Sequence, residues 1–71
     1  SFEAAFEGVH PGFIASVREH YPDLTETEFR YCLLSHFKLS RQEYANVLGC
    51  SVYNVDKIRA SLNSKMKQGL A

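Results

Sequence analysis

Three histidines, two cysteines and a few hydroxyls are the side chains from which catalysis or metal binding would be built in this 71-residue sequence. His10, His20 and His36 are spread over different segments, with no cysteine or carboxylate set around them at ligand spacing. Cys32 and Cys50 have no second Cys or His at the spacing a closed zinc site requires, and two cysteines make no disulfide framework. They read as small apolar residues in a reducing compartment. Ser40 and Ser51 precede helical patterns and read as N-caps, not nucleophiles. No glycine-rich phosphate loop is present. The expectation is a non-enzyme, with no catalytic residue, no metal, no cofactor and no small-molecule substrate.

The residues that do suggest chemistry are amides and cations in the second half of the chain. Formal net charge is zero, yet it divides into −4 over residues 1–36 and +4 over residues 37–71. Such asymmetry points to a basic working end and an acidic supporting end. Six cations, Lys38, Arg41, Lys57, Arg59, Lys65 and Lys67, face only Glu43 and Asp56 in that second half. Cations and polar amides on one helix are what double-stranded DNA recognition uses.

Length and composition bound the elements that must position them. With 45% hydrophobic and 23% charged residues the chain is expected to fold. It holds one domain with a marginal core, since a chain this short buries only about 60% of its unfolded surface. No apolar run approaches the ~20 residues a bilayer span needs, and no signal segment opens the chain. No membrane contact and a cytoplasmic location are expected. The absence of an initiator Met, with Ser1 running straight into Phe2, is read as the start of a fragment from a longer protein.

The periodicity predicts four to five helices and no strands. Phe2, Phe6 and Val9 mark a short helix over 2–9, which His10-Pro11 interrupts. Pro11 suits the first position of a helix running to about Tyr21. Thr25-Glu26-Thr27-Glu28 is a capping box opening an almost wholly apolar helix over about 26–37. Ser40-Arg41-Gln42-Glu43 is a second, opening a helix over 41–48 that Gly49 ends in a left-handed cap. Ser51 caps a last helix over about 52–68, with Val55, Ile58, Leu62 and Met66 inward and Gly69 at its end. Residues 1–22 are thus expected to support a core over 25–69.

Residues 41–62 carry the functional pattern. A helix-turn-helix needs a small residue where its helices approach, a φ > 0 residue in the turn and an apolar inner face on the second helix. Ala45, Gly49, and Val55 with Ile58 meet these needs at the right offsets. An all-α, four- to five-helix bundle containing a helix-turn-helix is expected.

The sequence Leu24-Thr25…Glu28…Leu39-Ser40…Glu43-Tyr44-Ala45…Leu48…Ser51…Val55…Leu62…Lys65-Met66 resembles the LuxR/NarL-type effector domain. Over residues 9–67 it resembles more specifically the C-terminal domain of Bacteroidetes sensor and tetratricopeptide-type regulators, through Val9-His10-Pro11, Tyr21-Pro22-Asp23-Leu24-Thr25 and Arg30-Tyr31-Cys32. The resemblance implies the DNA-binding output domain of a transcriptional regulator, in many members membrane-anchored or part of a two-component-like system. Three departures stand out. Ser61, Asn63 and Ser64 occupy positions where basic residues are common. Tyr44 replaces the usual Ile, and the following dimerising helix is missing, so a homodimer would form through the parent protein or the N-terminal helices.

With the last helix's apolar stripe inward, 100° steps place Tyr53, Lys57, Ala60, Ser61 and Ser64 outward, flanked by Asn54 and Asp56. Base-contact candidates are Tyr53, Asn54, Asp56, Lys57 and Ser61, with the helix over 52–68 in the major groove. Phosphate-contact candidates are Lys38, Arg41, Arg59, Lys65 and Lys67, together with the helix N-termini at Ser40 and Ser51. Six cations set an upper bound on the salt slope of about −5 at ~0.9 per contact. The alternative is a helix-turn-helix-derived protein-interaction or dimerisation domain with weak or no DNA binding, favoured by the depleted basic run and the zero net charge.

Overall fold

The computed structural model describes residues 1–69, with side chains through Lys67. The described residues contain helices and no strand: α1 (Phe2–Val9), α2 (Phe13–His20), α3 (Glu26–Leu34), α4 (Arg41–Leu48) and α5 (Val52–Gly69). The expected all-α architecture is therefore observed.

Local chemistry explains most boundaries. Ser1 caps α1 through the Ala4 amide. Thr25 and Ser40 each close a reciprocal capping box, with Glu28 and Glu43 reaching back to the cap amides. Gly49 adopts φ 69°, ψ 37° and ends α4, a left-handed conformation that a residue with a Cβ enters at a cost. Ser51 Oγ accepts from the Asn54 amide at 3.1 Å and caps α5.

Two expected boundaries are corrected. The second helix starts at Phe13, not at Pro11, because Gly12 has φ 82° and cannot be helical. Glu7 holds that turn by accepting from the Gly12 amide at 3.0 Å. The third helix ends at Leu34, not near residue 37. Beyond it the amides of His36 and Phe37 bond three residues back, to Leu33 and Leu34, so the chain tightens and leaves the helix.

α3 is the central element and packs on both α4 and α5, which also pack on each other. Its Phe29, Tyr31, Cys32 and Leu33 are buried, Leu33 completely. They share one core with Phe6 of α1, Val17 of α2, Ala45 of α4, and Val55 and Leu62 of α5. Ile58 and Met66 are half-buried against the same core. Both cysteines are free, Cys32 buried and Cys50 half-buried.

The departure at Tyr44 has a packing reason. Its ring stacks on the buried Tyr31 ring, with centroids 4.5 Å apart and planes 14° apart. An aromatic at 44 thus fills space beside an aromatic at 31. No described helix is long and apolar enough to cross a membrane.

Candidate nucleic-acid interface

α4, the turn at Gly49-Cys50-Ser51 and α5 form a helix–turn–helix whose second helix has a distinct outer face. Val55 and Leu62 anchor the inner face in the core. Tyr53, Asn54, Lys57, Ala60, Asn63, Ser64 and Lys67 are exposed. Tyr53, at 67% exposure, is the most exposed aromatic among the described residues. Lys57 extends back one turn and places Nζ 4.8 Å from the Tyr53 ring centroid. This cation–π contact gathers a charge and a flat ring at the N-terminal part of α5.

Asp56 lies at the flank of that face and is claimed by two arginines. It accepts from Arg41 Nε at 3.0 Å and from Nη2 of the same guanidinium. Arg59 Nη2 is 3.8 Å from Oδ1. The Arg41 hydrogen bonds, with the charges of Arg41 and Arg59, hold the Asp56 carboxyl below the usual carboxylate range against an opposing effect of desolvation. The same bonds push the Arg41 guanidinium up. Asp56 is therefore an ion-pair partner on this surface, each of its oxygens already accepting one hydrogen bond from Arg41.

Two further candidates turn inward. Ser61 is half-buried and donates to Glu28 Oε2, and Lys65 Nζ donates to Glu28 Oε1 at 2.6 Å and to the Asp23 carbonyl at 3.1 Å. The outward placement expected for Ser61 is corrected: the helix presents residues 61 and 65 to the N-terminus of α3, where the buried Glu28 carboxylate draws both. Burial pushes that carboxyl up, but the bonds from Lys65, Ser61 and the Thr25 amide together outweigh it and hold it at about 2.

The caps are in place as well. Ser40 Oγ accepts from the Glu43 amide, and the bond from the Ser40 amide, followed by that from its side chain, lowers the Glu43 carboxyl. Lys38, Lys57 and Lys67 form no ion pair among the described residues. Gln42 and Asn46 lie outside the sequence-derived set, yet they sit exposed on α4, with Gln42 Nε2 donating to Asn46 Oδ1 at 3.0 Å. Their four-residue spacing is the signal that marks them as neighbours on one helix face.

The histidines do not converge. His20 Nδ1 donates to the Ser16 carbonyl at 2.8 Å. His10 and His36 lie with their ring centroids 4.9 Å apart and each packs against Phe6. No group of three His, Cys, Asp or Glu side chains stands together among the described residues. Among known proteins no family model, no curated protein and no solved structure matches the chain.

Proposed function

We propose that the chain is the DNA-binding output domain of a transcriptional regulator, of LuxR/NarL type, with α5 entering the major groove. The observation that carries this reading is the outer face of α5. Tyr53, Asn54 and Lys57 project there, and both acidic side chains of residues 37–71 are engaged elsewhere, Glu43 in its capping box and Asp56 with Arg41. Among the described residues, neither carboxylate of that half stands without a partner. Asn54 suits the donor–acceptor edge of adenine, and Lys57 the paired acceptors of guanine. Lys38 and Lys67 serve phosphates, and with the Lys57 charge entering the groove three cations release counterions, for a salt slope of about −3 at ~0.9 each.

The test is fluorescence anisotropy of a labelled mixed-sequence duplex titrated with the 71-residue chain between low and moderate salt. Binding that weakens with a slope near −3 supports the proposal. Lys57→Ala is expected to lower that slope by about one contact. Failure to bind any duplex at the lowest salt sinks it.

The interaction-domain reading rests on a different surface. A groove of about 430 Å³ is lined by Ser1, Phe2 and Glu3 at the start of the chain, Arg30 and Leu34 of α3, and Val47 of α4. Phe2 and Val47 are exposed. Concentration-dependent sedimentation together with no duplex binding would replace the DNA reading by this one.

A further inference from the structure

Asp56 has an effect that DNA contact does not require. It stands one turn into α5, while Arg41 is the first residue of α4. Its carboxylate takes two hydrogen bonds from Arg41 and sits 3.8 Å from Arg59. Two arginines that would present +2 to an approaching anion thus present +1. The cluster lies beside the α4 N-terminus, where unpaired amides and the helix dipole otherwise favour negative charge. The side chains of Arg41, Asp56 and Arg59 are all at least a third exposed, and ion pairs this exposed add little to stability. What the carboxylate changes most is therefore the field that a polyanion meets.

We propose that Asp56 is a charge brake, keeping the sequence-independent affinity of the α4–α5 surface for phosphate polyanions low. The α5 partnership is what makes this specific to Asp56. Arg41 keeps three further N–H donors that Asp56 does not occupy, so a phosphate can still bind, but it approaches against a fixed negative charge. The brake acts on every duplex alike, which leaves the single domain dependent on its base contacts for useful affinity. The inference rests on the DNA reading for the identity of the polyanion, and on the observed ion pairs for everything else.

The test uses the full 71-residue chain and two probes, immobilised heparin and a mixed-sequence DNA duplex. Asp56→Asn keeps the shape and removes the charge. It is expected to elute from heparin at higher salt than the parent chain and to bind the duplex about threefold to tenfold more tightly at low salt. Glu19→Gln changes the net charge equally at an exposed residue that forms no ion pair among the described residues, and is expected to move neither readout as far. Adding Arg41→Gln to Asp56→Asn is expected to remove most of the gain. Equal elution of Asp56→Asn and the parent, weaker retention, or a shift matched by Glu19→Gln overturns the brake. A heparin shift with no duplex binding by any variant keeps the brake and removes DNA as its target.

Discussion

Glu28 joins the N-terminus of α3 to α5 through two oxygen atoms. Oε1 accepts from the Thr25 amide at 2.9 Å and from Lys65 Nζ, and Oε2 accepts from Ser61. A buried carboxylate is costly unless it is paired and hydrogen-bonded, and this one is both. Its folded value of about 2 lies below the ordinary 4.5, so the folded state binds its proton less readily than the unfolded chain. The resulting stabilisation is complete above about 4.5 and is lost as pH falls from there toward about 2. At 1.36 kcal/mol per unit it amounts to about 3 kcal/mol. Urea unfolding at a series of pH values is expected to show that decline, and Glu28→Gln is expected to be less stable at pH 7 and flatter below 4.5. A variant declining as steeply as the parent over that range would show that other carboxylates carry the effect. Lys65→Met provides a companion measurement. It strands the Glu28 charge and is expected to cost about 1–3 kcal/mol, while the salt slope of duplex binding stays unchanged, because Lys65 is already committed inside the molecule.

The helix ends follow equally local rules, and two glycines separate them. Gly49 stands at φ 69°, and a Cβ there would meet nothing within 4 Å, so the expected penalty for Gly49→Ala is conformational alone, about 1 kcal/mol. Gly8 lies inside α1 with equally open space and no positive φ. There Gly8→Ala is expected to stabilise by about 0.5–1 kcal/mol through helix propensity. Thermal melts of the two variants should therefore move in opposite directions, and a shared direction would refute the conformational account. Gly49 was legible from its place after Leu48, as were the capping boxes at Thr25 and Ser40, because each motif is complete within four residues. Gly12 was not legible. Pro11 is a good first helical residue, and nothing local says that the next residue turns left-handed. Phe37 misled in a similar way, since its spacing fits α3 while the chain has already tightened at Ser35. At the site, Tyr53, Asn54 and Lys57 were legible because exposure follows from helical phase. Ser61, Lys65 and the Arg41–Asp56 pair were not, because their partners come from other helices and no local pattern encodes them.

Across the whole molecule, the acidic N-terminal half and the basic C-terminal half share one core. Phe6 shows how closely. It is 2% exposed, and its ring lies 5.6 Å from Phe13, 5.0 Å from His10, 5.2 Å from His36 and 6.4 Å from Phe37, centroid to centroid. Val17 joins the same core from α2, and Arg18 of α2 covers Phe29 at 3.9 Å while reaching Glu26 and Glu3. A chain of this length has roughly 4–10 kcal/mol of total stability. Phe6→Ala, at about 3–5 kcal/mol, should by itself consume much of it. Removing residues 1–24 goes further, taking away Phe6, Phe13, Ile14 and Val17 together and exposing Phe29 and Leu33. The segment 25–71 is therefore expected to lack a cooperative thermal transition and to bind duplex DNA more weakly than the full chain, even though it retains every residue of the outer α5 face and gains positive net charge. Circular dichroism melts and anisotropy on the two chains check this together. If the shorter chain melted cooperatively and matched the full chain in affinity and salt slope, α1 and α2 would be accessories and not part of the scaffold that aims α5.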